Sequence, residues 1–284
     1  MTRLLETREV EKIWGRTALP EPFAAERDEP IGEIWFEPPP ELPELLVKYL
    51  FTGENLSVQV HPSDDNAPEG ASGKEECWLI LDAAPGAKLA IGLERETAPE
   101  DLAQAARDGS IEGLLHWHEV AAGDFFYLPA GTIHAIGSGI TLAEIQQNCD
   151  ITYRLYDYGR PRELQLDDAI RVARSGPYDT DRYAKRLNGK AMRLVAGPHF
   201  RLEFFQGSPG ANAWNPEQDG GGPGALLLPL DGSYRAGTSM VSAGECALVA
   251  AGDPVTAATT DARGMLAYPL RASLANSEAT SSLP

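Results

Sequence analysis

Cysteine is scarce in this chain: three in 284 residues, Cys77, Cys149 and Cys246, odd in number, widely separated and without a CxxC pair. Such a set excludes a disulfide framework and a zinc knuckle, and the thiols are expected to be reduced packing residues. Cations are in deficit too, with 24 Lys and Arg against 42 Asp and Glu and a formal net charge of -18. That field repels nucleic acid and anionic membrane, so neither is expected as a partner. An anionic small molecule would bind only where particular Lys and Arg side chains reverse the field locally. No apolar run reaches the length of a membrane span. The opening "MTRLLETREVEKIWG" has no apolar stretch followed by a small-residue cleavage site, so no export signal is expected and the default location is cytoplasmic.

What the chain does have is punctuation. Its 28 Gly and 22 Pro divide many short apolar runs, among them "LSVQV", "CWLIL", "KLAIGL", "DFFYLP", "FRLEFFQG" and "ECALVA", which is the texture of a mainly β protein. Helical patterns occur at 98–115 and at 164–175, the second with Asp167 or Asp168 as candidate cap. These features predict a β domain over 1–165, a helical connection over 166–186 and a second β domain over 187–272. The last stretch, 273–284, is small and polar and is expected to be disordered.

Within "LSVQVHPSDDNAPEGASGKEECWLIL", residues 56–81, Gln59 and His61 fall on one strand face, and Lys74 and Glu76 fall together further on. An exposed hairpin face would explain them equally well. A second motif changes the balance. In "GDFFYLPAGTIHAIG", Gly123, Pro129, Gly131 and His134 follow the order G-x5-P-x-G-x2-H. This resembles the second motif of the cupin barrels, a strand, a tight Pro-Gly turn and a strand whose first His points into the barrel. The resemblance places Gln59-x-His61 where cupins carry HxH, with Glu76 fifteen residues after His61. Gln59, His61, Glu76 and His134 would then offer two nitrogen and two oxygen ligands, a set suited to Zn2+ or another divalent transition metal.

The stretches "LSVQVHP", "GKEECWLIL", "LPAGTIHAIGSGITLAEIQQNCDITYRLYDYGR" and "RELQLDDAI" are together similar to the class I mannose-6-phosphate isomerases in their short form, from about residue 31 to 172. The resemblance implies two cupin-like jelly-roll barrels in tandem, the second degenerate and metal-free. It implies one zinc per chain on Gln59, His61, Glu76 and His134, and interconversion of mannose 6-phosphate and fructose 6-phosphate through a cis-enediolate. It places Glu33, Lys48, Lys74 and Arg154 against the substrate, with Arg154, Lys74 and Glu144 in catalytic roles. Two lysines and an arginine about one metal would supply the local positive field that a phosphorylated sugar needs. Taken singly, Lys48 and Arg154 read equally as surface residues or as ion-pair partners of Glu33 or Asp157.

Two other functions fit a cupin: a metal-dependent oxygenase, which would favour histidine at position 59, and a non-catalytic sugar-binding protein. The one literal HxH, His116-x-His118, lies just before the Gly123 motif. It is expected to serve surface or packing roles on a different strand face from the site.

Overall fold

Alternation in the strand containing Gln59 has an unusual sense, because its apolar members face outward and its polar members face in. The computed structural model describes residues 1–210, 214 and 222–270, so the expected disordered tail over 273–284 lies outside the described residues. The chain divides into two units, residues 6–37 with 45–188, and residues 1–5 and 38–44 with 189–284. This differs from a split near 165–187. The segment over 166–186 groups with the first unit, and the first residues and the Pro-rich 38–44 group with the second.

β1 (Arg3–Leu4) belongs to the second unit. The first unit carries β2 (Thr7–Ala18), β3 (Glu26–Phe36), β4 (Leu45–Phe51), β5 (Val58–Val60), β6 (Glu76–Ala83), β7 (Lys88–Leu93), β8 (Leu115–Glu119), β9 (Asp124–Leu128), β10 (His134–Ile136), β11 (Ile140–Gln147), β12 (Tyr153–Tyr156) and β13 (Ala184–Arg186). They form a seven-stranded sheet, β13-β9-β6-β11-β4-β3-β2, and a five-stranded sheet, β12-β5-β10-β7-β8. All pairings in both sheets are antiparallel.

Trp78, Ile80, Phe126 and Leu142 from the larger sheet pack against Leu89, Ile91 and Ile136 from the smaller, so the two sheets close face to face over one core. The outer face of the smaller sheet presents Val58, Val60, Ala90, Ala135, Tyr153 and Leu155. It is covered by Leu102, Ala105 and Ala106 of α1 (Pro99–Asp108) and by Ala169 and Val172 of α2 (Leu166–Val172). The apolar valines of "VQV" are therefore spent on the helices, and Gln59 is left to the interior.

The helical pattern expected over 98–115 stops early. Gly109, at φ 83°, ends α1, and Ser110–Gly113 is a single 3-10 turn before β8 begins. In α2 the cap position falls on Gln165, which makes no side-chain cap, and Asp167 and Asp168 sit in the first turn instead. There they favour the positive end of the helix dipole. A short α3 (Thr180–Tyr183) leads into β13 and is capped by Asp179, whose side chain accepts from the Arg182 N–H.

The second unit adds β14 (Met192–Ala196), β15 (Phe200–Gln206), β16 (Gly224–Asp231), β17 (Ser233–Ala236), β18 (Ser239–Ser242), β19 (Ala247–Ala250), β20 (Val255–Ala257) and β21 (Arg263–Pro269). Its sheets are β1-β19-β16-β21-β15-β14 and β18-β17-β20. Phe205, Leu227, Tyr234, Val241, Val249, Leu266 and Tyr268 fill the space between them. Where the first barrel keeps polar groups inside, the second is packed with hydrocarbon and rings. All three cysteines are free and buried.

Candidate active site

Register brings the expected residues together. His134 opens β10 opposite Gln59 of β5, and Arg154 of β12 lies opposite Gln59 on its other side. Directly opposed residues project from the same face, so Gln59, His134 and Arg154 share the interior of the barrel. On the facing sheet a single row runs Arg8, Trp35, Lys48, Glu144, Trp78 across β2, β3, β4, β11 and β6. One step along, Glu76 of β6 stands opposite Gln146 of β11.

The Pro129–Gly131 turn aims His134. Gly131 has φ +84° and lies where a Cβ would come within 2.8 Å of the Val172 carbonyl oxygen, so only glycine fits. Its N–H donates to the His61 carbonyl at 2.9 Å, tying the turn to the end of β5. His134 Nδ1 donates to the Thr132 carbonyl at 2.9 Å, and His61 Nδ1 donates to the Ile151 carbonyl at 2.8 Å. Each bond fixes the tautomer in which Nε2 is the acceptor nitrogen. Both Nε2 atoms lie beside Glu76, His61 Nε2 3.5 Å from Oε2 and His134 Nε2 3.4 Å from Oε1.

His61, Glu76 and His134 are all buried, and their ligand atoms lie within 4.8 Å of one another. Among the described residues this is the one His, Cys, Asp and Glu group so arranged. Gln59 reaches the same place, its side-chain nitrogen 3.2 Å from His134 Nε2. A half-turn of the amide brings its oxygen to that position.

The residues fit a divalent transition metal on an observation independent of resemblance. Glu76 Oε1 is buried without a hydrogen-bond partner among the described residues, although a buried carboxylate oxygen ordinarily has one. Two imidazole nitrogens whose other nitrogens are held by carbonyls, beside that oxygen, form a donor set for zinc. Burial drives His61 well below the ordinary imidazole range, and the Lys74 cation adds to the effect. Burial also lowers His134, even against the nearby Glu76 carboxylate. Both rings are neutral at pH 7, as metal ligands must be.

Lys74 intrudes on this group. Its Nζ donates to His61 Nε2 at 3.0 Å and forms a hydrogen-bonded ion pair with Glu76 Oε2. Burial opposes its charge, but the carboxylates of Glu76 and Glu144 outweigh burial and raise its pKa. Burial likewise opposes the Glu76 carboxylate, and Lys74 more than offsets it, so Glu76 titrates below its usual range.

Beside the group lies a cavity of about 310 Å³ that includes Gln59, Lys74, Glu144, Arg154, Lys48 and Glu33 in its lining. Its walls hold six cations, Arg8, Lys12, Lys48, Lys74, Arg154 and Arg162, against three carboxylates, Glu33, Glu144 and Asp150. An acidic protein thus surrounds this one volume with net positive charge. The polar wall is internally braced. Glu144 accepts from Trp78 Nε1 at 2.9 Å and pairs with Lys48 Nζ at 3.2 Å. Lys48 Nζ lies 4.4 Å from the Trp35 ring centroid and Arg8 Cζ 4.5 Å from it. Trp35 Nε1 in turn donates to Glu33, which pairs with Lys12 at 3.4 Å.

Asp157 pairs with Arg160 and Arg162, each at 2.6 Å. Arg154, the third arginine of that stretch, instead keeps its Nε buried and without a partner among the described residues. Arg8, Lys12, Trp35 and Arg162 were not singled out by the sequence. For the first three the signal is the alternation of "REVEKIW" and "EIWF", which gathers Arg8, Val10, Lys12 and Trp14 on one face of β2 and Glu33 and Trp35 on one face of β3, and pairing makes these the same face of the sheet.

His116 and His118 differ from expectation in their face. His118 stands opposite Leu89, so the pair shares the inward face of the smaller sheet, at the edge strand β8 and two strands from His134. The rings stack at 4.3 Å, and His116 Nδ1 lies 3.4 Å from Glu94. They lie outside the His61, Glu76 and His134 group.

No protein-family model matches the chain. Over 137 residues it is 46% identical to "Mannose-6-phosphate isomerase ManA" of Bacillus subtilis, covering 45% of this chain and 43% of that one. The chain spans about half the length of the curated relatives it matches, which carry mannose-6-phosphate isomerase names at 41–46% identity. Among solved structures, the mannose 6-phosphate isomerase of Bacillus subtilis superposes with a TM-score of 0.76 at 25% identity, covering 93% of this chain and 98% of that one. The chain has the fold of the phosphomannose isomerases. A zinc-bound mannose 6-phosphate isomerase shares that fold at a TM-score of 0.70 and 16% identity, with 95% of this chain and 100% of that one covered. The mainly β content agrees with the cupin-type architecture of that fold.

Proposed function

We propose that this protein is a zinc-dependent aldose–ketose isomerase that interconverts mannose 6-phosphate and fructose 6-phosphate. The observation that carries the reading is the convergence of His61, Glu76 and His134 beside a cavity walled by six cations. Similarity to proteins named for this activity supports it, as does the zinc-bound neighbour of the same fold. Gln59, His61, Glu76 and His134 hold one zinc per chain. When bound, zinc supplies Lewis acidity that stabilises negative charge developing on sugar oxygens.

The reaction moves a proton between C1 and C2 of the open sugar through a cis-enediolate, so the protein must hold a flexible chain planar and offset its negative charge. Arg154 has a guanidinium Nε without a partner among the described residues and lines the cavity. It is assigned to the developing charge. Lys74, held protonated by Glu76 and Glu144, serves as a cation and proton donor rather than a base. Glu144 is fixed by Trp78 and Lys48 on opposite sides, which orients its carboxylate toward substrate hydroxyls. Glu33 and Lys48 complete the polar wall.

The phosphate supplies binding energy remote from the reacting carbons. A coupled assay of mannose 6-phosphate conversion, with zinc content measured on the same sample, tests the reading. Activity is expected with mannose 6-phosphate and to be lost with free mannose. Comparable kcat/KM for the two sugars would overturn the assignment.

A further inference from the structure

Buried glutamine is costly unless its amide is used, and β11 ends in two of them, Gln146 and Gln147, pointing to opposite sides of one strand. We propose that this pair positions both halves of the metal site: Gln146 through the turn that orients His61, and Gln147 through the loop that delivers Lys74 and Glu76. The inference rests on the metal site proposed above.

Gln146 is fully buried, at 0% exposure. Its Nε2 donates to two carbonyls of the following turn, Gln147 O and Cys149 O, each at 2.7 Å. The same turn is closed by the Cys149 N–H to Gln147 O at 2.7 Å and by the Ile151 N–H to Cys149 Sγ at 3.4 Å. Its last carbonyl, Ile151 O, receives the His61 Nδ1 proton at 2.8 Å and so sets which imidazole nitrogen faces the site. The oxygen of Gln146 is buried without a partner among the described residues. An apolar side chain of the same shape would avoid that cost, so the two donor bonds to the turn are what the amide contributes.

Gln147 works on the other side. Its Oε1 accepts the Glu75 N–H at 2.9 Å, and its Nε2 donates to Asp64 Oδ1 at 3.1 Å. Asp64 Oδ1 also accepts the Gly73 N–H at 2.6 Å, and the Lys74 N–H donates to Pro62 O at 2.8 Å. The two ends of the loop between His61 and Lys74 therefore cross at Gln147. The crossing is tight, because a Cβ on Gly73 would lie 2.4 Å from the Asp64 nitrogen. Neither glutamine is assigned contact with substrate or metal. Both act through backbone that carries groups which are, and such outer partners commonly govern ligand geometry.

Gln146→Met and Gln147→Met preserve length and remove the amide. Zinc titration of each metal-stripped variant, with nitrogen-15 NMR of the histidine rings, reads the effect. Gln146→Met is expected to lose about 10- to 100-fold in zinc affinity and to show mixed tautomers at His61 where the wild type shows one. Gln147→Met is expected to keep the His61 tautomer and lose kcat/KM at saturating zinc. Unchanged zinc affinity together with an unchanged His61 spectrum in Gln146→Met would overturn the proposal, as would full kcat/KM in Gln147→Met.

A measurement on the unaltered protein guards against misfolded variants: the Gln146 side-chain amide protons should exchange slowly with solvent, and fast exchange would refute the bonds to the turn. The tautomer reading needs no metal. If the wild type binds no zinc but Gln146→Met still scrambles His61, the metal assignment fails and the positioning role stands.

Discussion

Lys74→Met is the substitution with the most to say about how this site is held together. Lys74 and Glu76 are 5% and 1% exposed, and they are bonded to each other. Removing one member of a buried pair leaves the other charge uncompensated, at a cost of about 3–5 kcal/mol. For a unit of this size, each kcal/mol corresponds to roughly 2–4 °C in melting temperature. The metal-stripped variant is therefore expected to melt about 6–20 °C below the metal-stripped wild type. The Lys74 ammonium also bonds to His61 Nε2, an atom assigned to zinc, and to Oε2 of Glu76, the carboxylate whose other oxygen is assigned to zinc. Zinc then replaces the lost cation in the variant, whereas in the wild type it must first displace a lysine.

The rise in melting temperature on adding zinc should accordingly be larger in Lys74→Met than in the wild type, and zinc should bind more tightly, even as turnover falls. Tryptophan fluorescence is the suitable probe, since Trp14, Trp35, Trp78 and Trp117 all belong to the first barrel and Trp78 packs edge-on against the His134 ring, centroids 5.2 Å apart. A metal-stripped variant that melts within about 2 °C of the wild type, far below the shift a broken buried pair implies, and shows no gain in zinc affinity would refute the reasoning.

Arg154→Ala should keep its zinc and its fold while losing about tenfold to a thousandfold in kcat/KM, because the guanidinium is assigned to transition-state charge; near-normal kinetics in a zinc-loaded variant would return Arg154 to a surface role. His134→Ala should lose zinc and isomerase activity together, whereas replacing His116 and His118 by alanine should leave both nearly intact; the opposite pattern, with circular dichroism showing both variants folded, would remove His134 from the site. His61 and His134 titrate below the ordinary imidazole value of 6.5 when folded, so below that pH the unfolded chain takes up protons that the folded one refuses. Stability of the metal-stripped protein should thus be fully present above pH 6.5 and fall as pH drops below it, and zinc should still be held at pH 6; steep loss of zinc between pH 7 and 6 would contradict buried, neutral rings.

What the sequence made legible is what a strand encodes within itself. Gln59 and His61 are two residues apart, so their shared face needs no partner strand, and the Pro129–Gly131 turn announces its own geometry through residues that fit no other conformation easily. The direction of that face was another matter. Whether Gln59 looks to water or to the barrel interior is settled by what covers Val58 and Val60, and the covering surfaces on α1 and α2 lie about 40 and 110 residues away in sequence.

The same limit explains the residues that were missed. Arg8 and Trp35 join the expected Lys48 and Glu144, and Trp78, in one row only through the register of five strands, and register depends on pairings between distant segments. His116 and His118 went to the wrong face for that reason: their alternation was plain, but the opposition of His118 to Leu89 was not. Gln146 and Gln147 passed as ordinary strand texture in "LAEIQQN", since a glutamine that bonds to a backbone turn has no local mark distinguishing it from one that faces solvent. The Pro-rich residues 38–44 lead into β4 in sequence, while their contacts group them with the second unit. The shared faces of Gln59 with His61 and of Lys74 with Glu76 are thus written in i, i+2 spacings, whereas Arg8, Lys12 and Arg162, which join the expected Lys48, Lys74 and Arg154 in the cavity wall, are placed there only by the pairing of distant segments.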